Sequence, residues 1–168
     1  MTMTGDTGIT YRPRSLGFNP QTSLLQIPIC GYLQQTWWVE VEGELEFTFP
    51  PGTYTVFFRL QLGRRLRQFG RRVCNTEQVP GWDIKPVQFQ LWDSNGQFSA
   101  SQCFLAAPGN WITYHAGDFS VPGHSSATTK VKFSMTRINC THVKSGLCLD
   151  SVVIYPFLCS LNLFMVLT

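Results

Sequence analysis

VEVEGELEFTFPPGTYTVFFRLQL, residues 39–62, alternates apolar and polar side chains with a period of two. Val39, Val41, Leu45, Phe47 and Phe49 share one face, and Glu40, Glu42, Glu44, Glu46 and Thr48 share the other. That is the pattern of a β-strand with one side on a core and one side in water. The phase survives passage through Gly43. A two-residue turn at Glu42 and Gly43 would put Val41 opposite Glu44 on a single face, so the spacing predicts one long strand bent at Gly43. Pro50, Pro51 and Gly52 then form a turn, and Tyr54, Val56, Phe58, Leu60 and Leu62 resume the alternation, which predicts a hairpin.

Working outward, further strands are predicted at 87–92, 98–105, 111–116, 130–138 and 147–155. Asp93-Ser94-Asn95-Gly96 supplies a strong turn signal between the first two. No window carries a capped helical repeat. Seven or so closely spaced strands, each with one wet face, predict an all-β fold, an antiparallel two-sheet sandwich. A chain of 168 residues with 43% hydrophobic and 14% aromatic side chains suits one folded domain with a single core.

Charge excludes some functions. A net charge of +3 is too weak to mark a nucleic-acid binder. Six of the thirteen cations (Arg59, Arg64, Arg65, Arg67, Arg71, Arg72) nevertheless crowd into fourteen residues. The GRRLRQFGRR segment, residues 63–72, could grip phosphates, but it lacks alternating aromatics for base stacking and reads as a solvated loop. Residues 1–10 lack the basic start and apolar stretch of a secretory signal. The six cysteines show no small-scaffold spacing and are expected to be reduced, in a cytoplasmic and/or nuclear protein.

Catalytic and metal chemistry find little footing. Cys140, His142 and Cys148 have a spacing that matches no common zinc module and lack a nearby fourth ligand. His115, Asp118 and Cys103 could in principle build a thiol nucleophile, yet nothing marks a nucleophile turn or an oxyanion hole. Phosphate-binding glycine loops are absent, so a binding module without cofactor, metal or catalytic residue is expected. Tryptophans are the remaining clue. Trp38 falls on the glutamate face, while Trp82, Trp92 and Trp111 fall at strand ends or loops. A tryptophan on a flat polar sheet face suits stacking on a sugar ring; packing at the edge of the core is the plainer alternative for each one.

Four blocks carry a resemblance: YLQQTWWVEVEGELEFTFPPGTYTVFFRLQLGR (32–64), FGRRVCNTEQVPGWDIKPVQFQLW (69–92), PGNWITYHAGDF (108–119) and KVKFSMTRINCTHVKSGLCLDSVVIYP (130–156). In order and content they resemble the plant phloem protein 2 family, in particular its A-type members, which carry an F-box before a lectin-like domain. The resemblance implies a jelly-roll sandwich of the Nictaba-like lectin kind, binding N-acetylglucosamine-type glycans or glycoproteins. For the F-box members it implies a second role, recognising substrates for an SCF-type ubiquitin ligase, with a Skp1-type adaptor as partner where an F-box is present. No F-box lies within these 168 residues. The family's sugar site is built from two N-terminal tryptophans and two late glutamates. The glutamate positions correspond here to Lys130 and Arg137, and residues 1–18 contain no tryptophan. Glycan contacts are therefore expected from Trp38, Trp82, Trp111, Lys130 and Arg137.

The same resemblance divides the chain at 1–31, 32–156 and 157–168. Read two bases later, the degenerate codons of residues 5–19 permit RYWNYIPTEESRFQ, similar to the A-type segment that precedes the strand at Tyr32. Residues 1–31 are accordingly expected to be irregular, a gene-model artefact read out of frame. The tail FLCSLNLFMVLT (157–168) is apolar but shorter than the roughly 18–20 residues that span a bilayer, so no membrane partner is expected.

Overall fold

The computed structural model describes residues 2–4, 8–11, 17–19, 24–63, 65–68, 71–74, 79–123, 128–138 and 141–157. They form thirteen strands: β1 (Thr2–Thr4), β2 (Gly8–Tyr11), β3 (Gly17–Asn19), β4 (Leu24–Thr36), β5 (Val39–Phe47), β6 (Gly52–Leu62), β7 (Arg65–Gln68), β8 (Arg71–Cys74), β9 (Val87–Asp93), β10 (Phe98–Cys103), β11 (Trp111–Val121), β12 (Thr129–Arg137) and β13 (Lys144–Pro156). One sheet runs β1-β4-β13-β6-β11 with β3 alongside β4; the second runs β10-β9-β12-β5-β2. Pairing is antiparallel except for β1 with β4 and β2 with β5. The fold is an all-β, two-sheet sandwich.

The core is the sum of the alternating faces. Val39, Val41 and Leu45 of β5 and Val87, Phe89 and Leu91 of β9 face Val56, Phe58 and Leu60 of β6 and Val152 and Ile154 of β13, all buried. Across the gap, the Phe58 ring meets Phe89 at 5.3 Å and Phe133 at 5.8 Å between centroids. β5 continues through Gly43, as its phase requires. Gly43 lies opposite Phe133, and a methyl group there would sit 2.3 Å from a ring carbon. Glycine at this place makes room for the neighbouring strand's aromatic ring.

The expected hairpin between β5 and β6 does not form. β5 pairs with β12 and β2, whereas β6 pairs with β13 and β11 in the other sheet. Alternation shows which side chains point inward, and it is identical for two paired strands and for two strands facing each other across a core. Pro50 and Pro51 have no N–H for a ladder, so the segment turns a corner between sheets. The corner is packed: Phe49 lies 4.9 Å from Tyr54 and 5.2 Å from Phe119, and the Tyr54 hydroxyl donates to the Pro50 carbonyl at 2.7 Å.

Two other segments differ from expectation. Within residues 1–31, expected to be irregular, β1 and β3 pair with β4, and β2 pairs with β5, while residues 24–30 form the first half of β4 and pair with β13, burying Leu25 and Ile27. Their apolar residues recur every second position, in register with Val152 and Ile154, which is sufficient to join a sheet. The arginine-rich segment, expected as a loop, holds β7 and β8 as a two-stranded sheet, Gln68 opposite Arg71. The 93–96 turn is present. Asp93 Oδ1 accepts from the Asn95 and Gln97 backbone N–H groups at 3.0 and 2.8 Å. The tail beyond Phe157, Cys140, and residues 5–7 and 12–16 of the shifted-frame segment lie outside the described residues.

Candidate functional site

The outer face of the β10-β9-β12-β5 sheet is built in rows by strand register. Phe98, Trp92, Lys132 and Glu44 form one row; Ala100, Gln90, Ser134 and Glu42 the next; Gln102, Gln88, Thr136 and Glu40 a third. Each of these side chains is one position out of phase with a core-facing neighbour, which puts it on the outer face; Ser134 and Thr136 are nevertheless buried there. The Trp92 and Phe98 rings lie 5.4 Å apart at a 39° tilt, with Phe98 57% exposed. Lys132 bridges this aromatic pair to the glutamate strand: its ammonium sits 5.9 Å from the Trp92 ring and 3.7 Å from Glu42. Lys130 pairs with Glu44 at 2.8 Å, one row over. Both ion pairs are exposed, so they orient side chains more than they stabilise the fold. In the middle row the small Ala100 and Ser134 sit between longer side chains, and the buried Ser134 Oγ has no hydrogen-bond partner. The result is a polar sheet surface bounded at one corner by an aromatic step.

The five side chains singled out from sequence do not gather at one place. Lys130 is on this face, and the half-buried Trp38 continues the phase of Glu40 at the opposite end of β5. Trp111, 41% exposed, stands on the other sheet at the β11 edge, with the Arg59 guanidinium 5.4 Å from its ring and Asp150 bonded to that guanidinium at 3.3 Å. Trp82 and Arg137 are brought together, but in the interior. Trp82 is 1% exposed and donates from Nε1 to the Ser145 carbonyl at 2.7 Å, and the Arg137 guanidinium lies 5.4 Å from its ring. A ring so enclosed has no free face to stack on a sugar, so Trp82 is a core residue.

The nucleophile and metal candidates are likewise separated. His115 Nε2 meets Asp118 Oδ1 at 3.3 Å in the open, and its ring edges Phe57 on the outer side of its sheet. Cys103 packs on the core side beside Tyr114, where burial pushes its thiol pKa up, opposite to what a nucleophile needs. Among the described residues, no three His, Cys, Asp or Glu side chains are grouped to hold a metal.

The model of the family described as phloem protein 2 matches residues 19–156. The chain belongs to the phloem protein 2 family. Two Arabidopsis thaliana relatives are F-box protein PP2-A12, 66% identical over 128 residues, and F-box protein PP2-A11, 60% identical over 128. Each alignment covers 76% of this chain and 44% of the relative, so the chain spans less than half the length of these proteins. Protein PHLOEM PROTEIN 2-LIKE A2 of the same plant is 29% identical over 129 residues, 74% of this chain and 58% of that one.

For this phloem protein 2 domain, the aromatic step was missed by sequence reasoning although its signal was present. Trp92 immediately precedes the Asp93 turn and is out of phase with Phe89 and Leu91; Phe98 follows the turn. A hairpin closed at 93–96 must set the two side by side.

Proposed function

We propose that the chain is a carbohydrate-binding, lectin-like module that receives N-acetylglucosamine-type glycans or glycoproteins on the outer face of the β10-β9-β12-β5 sheet. The carrying observation is the half-open Trp92–Phe98 pair beside the Lys132–Glu42 ion pair. An apolar ring face takes the C–H surface of a pyranose, and carboxylates, amides and an ammonium one strand spacing away match its hydroxyl and acetamido groups. Membership of the phloem protein 2 family supports the reading. The proposal assigns no catalytic residue, metal or cofactor, and sets the protein in the cytoplasm and/or nucleus.

The test is titration of the purified chain with N-acetylglucosamine oligomers, followed by tryptophan fluorescence and calorimetry. Trp92→Ala is expected to weaken binding about tenfold or more, because stacking and the buried ring area together are worth at least about 1.4 kcal/mol. Failure of the folded chain to bind any such oligomer overturns the glycan reading.

A second reading rests on the names and lengths of the relatives. F-box proteins PP2-A12 and PP2-A11 extend well beyond the region matched here. On this reading the domain is the substrate-recognition part of an SCF-type ubiquitin ligase subunit and binds protein rather than sugar. A Skp1-type adaptor would then contact an F-box elsewhere in the gene product. Co-purification of Skp1 with the full gene product, together with a blank glycan array, would favour it.

A further inference from the structure

The two ends of the sandwich differ. Of the seven large apolar side chains that stand exposed among the described residues, five lie at the end where β5 and β11 begin and β10 and β12 stop. Four of them follow the strand order of one sheet. Phe104 stands just past β10, Ile84 three residues before β9, Ile138 just past β12 and Trp37 two residues before β5, at 52%, 44%, 66% and 50% exposure. With neighbouring strands about 4.8 Å apart, this row of apolar tips is about 14 Å long. Trp111, 41% exposed, opens β11 at the same end of the other sheet. Cations gather here too. The chain leaves β6 at Gly63, whose N–H bonds to the Gly146 carbonyl, and comes back at Trp82, tied to the Ser145 carbonyl. Between these points runs the β7–β8 sheet. Register sets Arg67 directly opposite Arg72, and Arg65 shares their face; Arg71 lies opposite Gln68. Residues 63–74 contain no acid. Next to Ile84, the exposed Lys85 and Asp83 offset each other.

Like charges placed opposite each other oppose the pairing of a two-stranded ribbon, and a layer of anions removes that cost. Apolar tips beside clustered guanidinium groups match a surface of the same make-up, phosphates above hydrocarbon. We propose that this end of the sandwich docks on an anionic lipid bilayer, with Trp37, Ile84, Phe104 and Ile138 entering the interface and the β7–β8 arginines at the level of the headgroups. Tryptophan suits that boundary, being apolar along its rings and polar at one N–H. The aliphatic Ile84 and Ile138 favour lipid over a nucleic acid, whose bases need rings to stack on. Surface docking requires no spanning segment, and no helix among the described residues is long and apolar enough to be one. The short tail, from which no membrane partner was expected, has no bearing on it. The aromatic step of the glycan face lies at the opposite end of β9 and β10, so the two sites are independent.

The test is flotation of the full chain with vesicles of phosphatidylcholine alone and of phosphatidylcholine mixed with phosphatidylserine at roughly two to one, at low and high salt. Binding to the mixed vesicles is expected to be about tenfold or more tighter than to the neutral ones, and to weaken with salt. Arg67→Gln with Arg72→Gln should lose about tenfold while leaving the melting temperature unchanged or higher, because two opposed charges are removed. Ile84→Ser with Ile138→Ser should lose about as much with little change in melting temperature, since both side chains already stand largely in water. Both variants keep the apolar tail, so binding that neither reduces traces to the tail and overturns the proposal. Equal binding to the two kinds of vesicle, or none to either, overturns it without any variant. A loss with the arginine variant alone, joined by binding of a single-stranded RNA oligonucleotide, would overturn it by making this end a nucleic-acid surface.

Discussion

Gly43 shows how much one absent methyl group can set. Its place in a run of valines and glutamates reads as a bend, yet β5 passes through it and the reason lies in the adjacent strand. The Phe133 ring occupies the space where a Cβ would be, 2.3 Å from its Cε2 atom. Phe133 cannot yield easily, being fully buried and packed edge-on to Phe58. Gly43→Ala is therefore expected to destabilise the domain by about 1–3 kcal/mol, the usual cost of forcing extra volume into a packed core. Thermal or urea unfolding measures it, and a variant as stable as the parent would show that the ring can move aside. Arg137 teaches the reverse lesson. Its charge is plain in the sequence, but inward phase at the end of β12 turns it from a surface cation into a buried one.

At the scale of elements, turn chemistry carries register. Asp93 binds four groups of its own turn: the Asn95 and Gln97 N–H groups through Oδ1, and the Asn95 and Gln97 side-chain amides through Oδ2 at 3.2 and 2.7 Å. The Gln97 side chain also ties the turn to β11, donating to the Ser120 carbonyl at 2.7 Å and accepting from its N–H at 3.0 Å. Asp93→Ala should cost about 1–3 kcal/mol, since charge-assisted bonds are lost from a partly buried turn. It should also loosen the Trp92–Phe98 pair. Chemical denaturation gives the first, and weaker protection of the β9 and β10 amides from hydrogen exchange gives the second; unchanged protection would separate the turn from the aromatic step. Elements also explain where expectation and structure part. The strands at 87–92 and 130–138 were legible within a residue or two, because a half-buried strand writes its period locally. β4 was legible only from Tyr32, because its first half is recognised by its pairing with Val152 and Ile154 of β13, more than a hundred residues away.

The molecule as a whole joins tyrosine ionisation to folding. Burial raises the hydroxyl pKa of Tyr54, of Tyr114 and of Tyr155. The bond from the Ala106 N–H pulls Tyr114 back in part, and Arg59 does so for Tyr155. The folded state thus keeps these protons longer than the unfolded chain, whose tyrosines titrate near the ordinary value of about 10. The resulting stability is fully present below that value and is lost as the pH climbs through the raised folded values. The melting temperature should fall as pH rises above about 10, and Tyr54→Phe with Tyr114→Phe should flatten that decline. A decline equally steep in the double variant would trace it to other groups.

The all-β class, the inward and outward faces of most strands and the turn at Asp93 followed from residue order alone, because side-chain alternation and turn propensity act over a few neighbouring residues. Family membership was legible for a related reason: whole blocks such as 108–119 and 130–156 keep their residues in order. Which sheet each strand joins was not. β5 and β6 read as partners and turned out to face each other, because inward phase is the same whether the neighbour lies beside a strand or across the core. The same blindness hid the fate of Trp82. Trp92 reads as outward from its phase beside the Asp93 turn, but only packing makes Trp82, ten residues earlier, a core ring against Arg137. Contacts between residues distant in the chain decide burial, and burial decides whether an aromatic ring can meet a ligand.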